Sequence, residues 1–446
     1  MSISNVFSNL ELCFLEKNSP WNISIYPDKK LERATFCERA YYYVCSFFSS
    51  VHENHLKTVC KDLLKKVSSF DLLQEKQKIL VEKVSACVYR TNSSWLFGIE
   101  TELQNPKETE IHLTATQRED LIAPVRENGR FVNFPGEAIF SQFLETLRLL
   151  VPGMFSKGTN LEDVNSLRKD WEPIAHSEHL EITWLGHASM LLQLASFNLL
   201  IDPAFDSVGM LFKRYTKPGI ALEDLPLLDF VGVSHNHDDH CQERAVSFLS
   251  DMQPCAMVPK HFDTFFKEKG YARVHDTSWW ETITLKKDEK EVTITSIPAQ
   301  HGSMRGVTDI NTSHWQGFVV QDGNSTIYVA GDTALQEGLF EQVKDVFGKI
   351  DLAVLPIAPE RELLMHLDCE QSLKAFEILD AELMLPYHFG AYRQAKEVLE
   401  DPYTRLDELL KQEKYKHLSE KVILPKIGER FNLENISQTS QVEVSA

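Results

Sequence analysis

The sequence predicts an α/β domain in which short strands alternate with helices along the chain. Three observations support this fold class. The composition is that of a globular protein, with 43% hydrophobic and 25% charged residues among 446. Strand-like and helix-like stretches alternate from residue 180 onward. Clusters rich in His and Asp follow several predicted strands, at the position where open α/β sheets place their sites.

Charge and cysteine usage argue against several classes of protein. The 46 Lys and Arg against 65 Asp and Glu give a net charge of −19, which disfavours a protein that mainly binds nucleic acid. The longest apolar stretch, residues 40–51, is shorter than the about 20 residues of a membrane-spanning helix. The first residues lack the basic cluster of a secretory signal, and the eight cysteines contain no C-x-x-C pair. We therefore expect a cytoplasmic protein, either free or associated with a membrane surface.

The N-terminal region, residues 1–108, is expected to be helical. Over residues 31–66 and 72–90, apolar side chains recur at the three- and four-residue spacing of amphipathic helices. The pattern leaves open whether this region packs on the rest of the chain, forms oligomers or docks on a membrane. The main domain follows over residues 109–433, and the polar residues 434–446 are expected to be a disordered tail.

Within the main domain, the predicted strands are short and separated by turn signals. They cover residues 181–185, 189–194, 198–201, 229–234, 292–297, 318–321, 326–330, 352–357 and 382–386. The sequence DGNS between two of these strands is typical of a β-hairpin turn. The predicted helices cover residues 242–252, 261–269, 339–347 and 369–379.

One segment directly after a predicted strand has no packing explanation. Residues 234–240 read SHNHDDH, which places three histidines and two aspartates within six residues. Imidazole and carboxylate groups together suit zinc and the neighbouring transition metals. In a tight loop at a strand end, alternate side chains point the same way, so His235 and His237 can share one metal. Asp239 and His240 then face a second position.

Further candidate ligands follow other predicted strands. His301, Asp332 and His388 each come shortly after a strand end. Taken singly, each histidine could be a structural residue of the core or surface, and Asp332 could be a turn residue or a helix N-cap. Together with the SHNHDDH segment, they bring five histidines and two aspartates to the carboxyl ends of strands, which predicts a metal site there.

The H-x-H-x-D-H spacing of this segment resembles the signature of the metallo-β-lactamase superfamily. Other motifs are similar to the branch that contains N-acyl-phosphatidylethanolamine phospholipase D, with part of them shared by the related ascorbate-6-phosphate lactonases. These motifs are WLGHAS at 184–189, IDP at 201–203, WWE at 279–281, GDT at 331–333, MHLD at 365–368 and HFG at 388–390. The resemblance covers roughly residues 115–432 and implies a four-layer αββα sandwich with a two-metal site at one edge.

The resemblance also assigns the candidate ligands to two ions, which are expected to be Zn²⁺, with Mn²⁺ or iron as alternatives. The first ion is held by His235, His237 and His301, the second by Asp239, His240 and His388, and Asp332 bridges them. Asp239, Asp332 and His366 are the expected catalytic residues. His366 could equally be a structural residue at a helix N-terminus, beside Asp368. Asp202, at a strand end, is a candidate to orient a ligand imidazole.

The function implied by the resemblance is hydrolysis of a phospholipid phosphodiester by water activated between the two metals. A small-molecule substrate, with lactonase or small phosphoester hydrolase activity, stays open. So does a non-catalytic binding protein built on the same scaffold. The sequence predicts no nucleic-acid partner, leaves peripheral membrane contact open and does not indicate an oligomeric state.

Overall fold

The computed structural model of the chain describes residues 109–133, 167–169, 174–208, 213–306, 308–359, 365–393 and 398–433. The chain divides into two compact units, and the larger consists of residues 109–171, 176–221 and 228–446. The described part of the smaller unit is residues 174–175 and 222–227, with a short 3-10 helix at Leu222–Asp224. The predicted helical region 1–108 and the predicted tail 434–446 lie outside the described residues.

The described residues of the larger unit contain sixteen strands and five α-helices. The strands are β1 (Glu110–Ala115), β2 (Val125–Glu127), β3 (Arg130–Val132), β4 (Glu181–Gly186), β5 (Ser189–Leu194), β6 (Phe197–Ile201), β7 (Phe230–Gly232), β8 (Cys255–Pro259), β9 (Val274–Thr277), β10 (Glu281–Lys287), β11 (Lys290–Ile297), β12 (Gly317–Gln321), β13 (Thr326–Val329), β14 (Leu352–Pro356), β15 (Leu383–Tyr387) and β16 (Arg430–Asn432). The helices are α1 (Glu243–Leu249), α2 (Asp263–Glu268), α3 (Leu339–Phe347), α4 (Cys369–Leu379) and α5 (Asp401–Leu410).

Two mixed seven-stranded sheets form the centre of the unit. The first has the order β1-β10-β11-β12-β13-β14-β15, and the second has the order β16-β4-β5-β6-β7-β8-β9. In the first sheet, β13, β14 and β15 pair in parallel, and the other neighbouring strands are antiparallel. In the second sheet, β6, β7, β8 and β9 pair in parallel, and the other neighbouring strands are antiparallel. Helix α1 joins β7 to β8, α2 joins β8 to β9, α3 joins β13 to β14, and α4 joins β14 to β15, as in βαβ units.

The sheets pack face to face over a continuous apolar core. A side-chain carbon at Gly232 of β7 would lie 3.3 Å from the Phe318 ring of β12, so the two sheets touch there. All six residues of β5 are buried, which fits a strand covered on both faces. Helix α4 contacts α3, α5 and β14, while α2 contacts β8 and β9. The unit therefore has the layered α/β sandwich architecture that the sequence predicts.

The capping chemistry of α4 explains why its bounds were predictable. The Asp368 carboxylate accepts a hydrogen bond from the Gln371 backbone N–H, and the Gln371 Oε1 accepts one from the Asp368 backbone N–H. This capping box starts the helix at Cys369. The helix ends where Asp380 adopts a left-handed backbone conformation.

Several elements of the sheets were not predicted from the sequence. Strands β1, β8, β9, β10 and β16, the β2–β3 hairpin and α5 are all absent from the expected set. β10 reads ETITLKK, and its charged and Thr-rich pattern hides a strand that lies between β1 and β11. β8 reads CAMVP, a short apolar run that periodicity alone cannot assign. Among the described residues, no helix combines the length and apolar character needed to cross a membrane.

Candidate metal centre

The predicted ligands meet at one sheet edge because the strands before them run in the same direction. In the second sheet, β6 and β7 are parallel, so Asp202 and the 234–240 segment follow neighbouring strand ends. In the first sheet, β13, β14 and β15 are parallel, and β11 runs with β13 because both are antiparallel to β12. His301, Asp332 and His388 therefore lie at the same edge of the first sheet, where they face the 234–240 segment of the second sheet.

Three imidazoles form the first group of potential ligands. His235 Nε2 lies 2.8 Å from His237 Nδ1, and His301 Nε2 lies 3.4 Å from the same His237 atom. The three ligand atoms all lie within 4.8 Å of one another. The structure thus brings together the three residues that the sequence analysis assigns to the first metal.

A second group lies beside the first. It contains Asp239, His240 and His388, which the sequence analysis assigns to the second metal, and also His187. His240 Nε2 and His388 Nε2 are 3.3 Å apart, and His187 Nε2 lies 3.0 Å from Asp239 Oδ2. The sequence analysis did not place His187 in this group, because it follows β4 in a turn and its sequence context predicts only a structural residue.

Asp332 lies between the two groups, as expected of a bridging carboxylate. Its Oδ2 is 3.1 Å from His240 Nε2 and 3.6 Å from His301 Nε2, and its Oδ1 is 2.9 Å from His388 Nε2. The same Oδ2 lies 3.9 Å from His235 Nε2. One carboxylate therefore faces imidazoles of both groups.

Hydrogen bonds behind the imidazoles fix which ring nitrogen faces the centre. The Nδ1–H of His301 donates to the Met365 carbonyl at 3.0 Å, and the Nδ1–H of His388 donates to the Ala358 carbonyl at 3.2 Å. His235 Nδ1 lies 2.9 Å from the Ser234 hydroxyl. In these three residues Nε2 is therefore left with a lone pair directed inward.

Asp202 organises the rear of the site, as the sequence analysis proposed for it. Its Oδ2 accepts from the Ser234 hydroxyl at 2.7 Å and from His240 Nδ1 at 2.8 Å, and its Oδ1 accepts from the Ser234 backbone N–H. Because the single Ser234 hydroxyl proton goes to Asp202, this hydroxyl is free to accept from His235. One buried carboxylate thus orients two candidate ligands.

Three residues at the site adopt left-handed backbone conformations. The φ angles are 55° for His187, 49° for Asp202 and 70° for His388. His388 N–H donates to the His187 carbonyl at 3.1 Å, and His187 N–H donates to the Phe389 carbonyl at 3.3 Å. Such conformations are costly for residues other than glycine and cluster at functional sites.

Sequence comparisons agree with this geometry. The family described as the beta-lactamase superfamily domain matches residues 197–389. The chain is 32% identical over 253 residues to N-acyl-phosphatidylethanolamine-hydrolyzing phospholipase D 1 of Caenorhabditis elegans, covering 53% of this chain and 71% of that relative. The chain belongs to the metallo-β-lactamase superfamily.

Two other relatives extend the comparison. The mitochondrial N-acyl-phosphatidylethanolamine-hydrolyzing phospholipase D of Saccharomyces cerevisiae is 32% identical over 240 residues, covering 51% of this chain. The chain spans about half the length of that yeast relative, 51%. A metal-dependent hydrolase of Pyrococcus abyssi is 28% identical over 217 residues, covering 48% of this chain and 86% of its own length. Within the metallo-β-lactamase superfamily, this chain is a metal-dependent hydrolase.

The donor set fits the metal site typical of this superfamily. Lone pairs of His235, His301 and His388 converge on the Asp332 carboxylate, and the acceptors behind the rings hold them there. A cluster of inward lone pairs beside an anion repels itself unless positive charge is present. Imidazole nitrogens with carboxylate oxygens are donors that zinc, manganese and iron accept.

Burial controls protonation in this metallo-β-lactamase site. Burial lowers the pKa of His301 to about 3 and that of His237 to about 4, although nearby carboxylates act in the opposite direction. Burial also acts on His240, but the Asp332 and Asp202 carboxylates outweigh it and raise the pKa of His240 well above its usual value. The metal-free site therefore keeps a proton on His240, in the position where a metal ion would replace it.

His366 lies at the solvent side of the site. Its ring stands 4.9 Å from that of His301 and 5.2 Å from that of His388, and its Nδ1 lies 3.7 Å from Asp332 Oδ2. The side chains of His366 and Asp239 are 15% and 21% exposed, whereas that of Asp332 is 2% exposed. Solvent therefore reaches the centre past His366 and Asp239.

Proposed function

We propose that this chain is a dinuclear metal-dependent phosphodiesterase that hydrolyses a phospholipid, in the manner of N-acyl-phosphatidylethanolamine phospholipase D. The observation that carries the proposal is the convergence of five imidazoles and two carboxylates, one of them Asp332, in one site. The 32% identity to phospholipases of that name supports the substrate class. The negative charge of the whole chain, −19, argues against a nuclease of the same superfamily.

We propose Zn²⁺ as the ion at both positions, because histidine nitrogens outnumber carboxylates among the ligands and thiolates are absent from the described ligand set. His235, His237 and His301 would hold one ion. Asp239, His240 and His388 would hold the other, with Asp332 between them. Bound divalent ions at these positions supply an activated water and neutralise charge on the phosphoryl oxygens.

The protein residues have separate tasks in this proposal. Asp332 fixes the spacing of the two ligand groups, because its two oxygens face different imidazoles. His187 donates its Nε2–H to Asp239 and so holds that carboxylate toward the second group, since burial lowers the pKa of His187 to about 3 and keeps its ring neutral. Asp202 holds His240 by accepting the hydrogen bond of its Nδ1–H, on the side of the ring away from the site.

His366 is proposed to contact the substrate. Burial lowers the pKa of His366 to about 3, so at neutral pH its ring is uncharged and carries one N–H. Its Nδ1 is buried, has no hydrogen-bond partner and lies 3.7 Å from Asp332 Oδ2, so this nitrogen is on the Asp332 side of the ring. A neutral imidazole at the solvent side can hydrogen-bond to a phosphoryl oxygen or to the leaving alcohol oxygen without repelling nearby cations. We expect His366→Gln to lower kcat about 100-fold while the metal content is kept.

The test compares three substrates on purified protein of measured metal content. They are N-acyl-phosphatidylethanolamine in mixed micelles, bis(p-nitrophenyl) phosphate and a simple lactone. We expect turnover of the phospholipid by the wild type, loss of turnover and of metal in Asp332→Asn, and a slowed reaction in His366→Gln. His417→Gln is the matched control. His417 is 59% exposed, and its ring bonds to Glu377, which is not one of the predicted ligands.

Each outcome separates the alternatives. Turnover of the small ester or the lactone alone would refute the phospholipid proposal and leave a hydrolase of small molecules. Two metal ions with no turnover of any substrate would favour a binding protein on this scaffold. An Asp332→Asn variant with full activity would refute the bridging role.

A further inference from the structure

Arg305 connects the two loops that carry the candidate ligands. It lies in the loop that follows His301, at the end of the first sheet, and the sequence patterns gave it no role. Its Nη1 donates to the Cys241 carbonyl at 2.7 Å and to the Asn236 carbonyl at 3.1 Å. Its Nη2 pairs with Asp238 Oδ1 at 2.5 Å. One guanidinium therefore bonds to the 234–240 segment at its start, its middle and just beyond its end.

The arginine is itself held in place. Its guanidinium carbon lies 4.6 Å from the centre of the Phe265 ring in α2, a cation–π distance. The backbone N–H groups of Arg305 and Gly306 donate to the Asp309 carboxylate, and the Ser303 backbone N–H donates to Asn311 Oδ1. Because the loop and the ring fix the guanidinium, little side-chain freedom is lost when its three hydrogen bonds form.

We propose that Arg305 is a positioning residue that sets the metal affinity of the site by locking the 234–240 segment to the His301 loop. This inference rests on the proposed metal site. The effect cannot come from charge attraction, since a guanidinium repels divalent cations. Asp238, which is not expected to be a ligand, offsets this repulsion by pairing with Arg305. The contacts of Arg305 with the two carbonyls and with Asp238 are what place His235 and His237, from one sheet, against His301 from the other.

The experiment is a metal titration of the metal-free protein, by competition with a chromophoric chelator for Zn²⁺. Arg305→Lys keeps the charge but cannot reach two carbonyls and Asp238 together. We expect its Zn²⁺ affinity to fall at least about tenfold, the scale typical of lost support behind a ligand. We also expect saturating Zn²⁺ to restore kcat. Arg118→Lys is the control, because Arg118 is an exposed arginine that pairs with Asp120 and Asp345.

A second variant keeps the test decisive if Arg305→Lys fails to fold. Asp309→Ala removes only the carboxylate that holds the Arg305 backbone, and we expect weaker Zn²⁺ binding in the same direction. A purely structural role would instead lower the unfolding temperature of the metal-free protein, with no rescue by Zn²⁺. Wild-type affinity, within a factor of two, in both variants would overturn the inference. A wild-type protein that binds no Zn²⁺ would refute the proposed function.

Discussion

Replacing Asp202 with asparagine changes the protons behind the metal centre while leaving its shape in place. Asparagine has the size of aspartate and tolerates the left-handed conformation that Asp202 adopts, with φ at 49°. In the wild type, Asp202 Oδ2 accepts from His240 Nδ1 at 2.8 Å. In the variant an amide N–H₂ takes the place of Oδ2, because the other position must still accept from the Ser234 backbone N–H.

An amide donor opposite His240 Nδ1 forces the imidazole into its other tautomer. The proton then sits on Nε2, which faces His388 and Asp332 at 3.3 and 3.1 Å. A protonated Nε2 cannot bind a metal ion. Loss of support behind a ligand costs about 10- to 100-fold in metal affinity, or about 1.4 to 2.7 kcal/mol. We expect this loss at the second metal position of Asp202→Asn. A smaller loss is expected at the first position, because the Ser234 hydroxyl that supports His235 also loses its acceptor at Oδ2.

The assay measures two successive Zn²⁺ dissociation constants by chelator competition, together with metal content after gel filtration. We expect about one ion per chain in Asp202→Asn under conditions in which the wild type keeps two. Asp322→Asn is the matched control, because Asp322 lies in an exposed hairpin turn and only accepts from backbone N–H groups of that turn. Two ions bound by Asp202→Asn with affinities within threefold of the wild type would refute the tautomer reasoning.

Three further predictions concern other parts of the structure. Burial lowers the pKa of His314 from 6.5 to about 3. Between these two values the unfolded chain binds a proton that the folded protein excludes. The free energy of unfolding therefore decreases as the pH falls from 6.5 toward 3. The His314→Leu variant should therefore gain roughly 2 kcal/mol of unfolding free energy relative to the wild type between pH 7 and pH 5, measured by urea titration of metal-free protein; an unchanged difference would contradict this. Burial raises the pKa of the Cys241 thiol to about 12, so peptide mapping after iodoacetamide treatment at pH 8 should find it unmodified in the native protein and modified in urea. A methyl group at Gly219 would lie 2.5 Å from the Gly428 backbone nitrogen, so Gly219→Ala should lose about 1–3 kcal/mol of stability, whereas Gly306→Ala, with its nearest atom at 3.9 Å, should not.

The ligand cluster was predictable because its information is local. The SHNHDDH spacing lies in one loop, and parallel strands carry the residues after their carboxyl ends to one edge. Asp202 could be proposed as a hydrogen-bond partner of a ligand imidazole for the same reason, since it directly follows β6. The assignment of each residue to one metal remains a prediction that the geometry is compatible with.

Residues whose role depends on distant backbone were not predictable. Arg305 matters because of the Asn236 and Cys241 carbonyls, which lie more than sixty positions earlier in the chain. His187 contacts Asp239, which lies 52 positions later in the chain, and its carbonyl accepts from the still more distant His388 N–H. Such contacts leave no periodicity or spacing in the sequence. The Trp279 and Trp280 pair, by contrast, fits the core role that aromatic pairs usually take, since each is 5% exposed.

The central claim is that two metal ions lie at the edge between the sheets, with Asp332 between them. The most direct measurement is anomalous diffraction at the zinc edge from crystals of protein purified without chelators. Two peaks about 3.5–4 Å apart are expected. One should lie about 2.0–2.2 Å from ligand atoms of His235, His237 and His301, and the other at that distance from ligand atoms of Asp239, His240 and His388. A single peak or none, after crystals are soaked in Zn²⁺, would contradict the account.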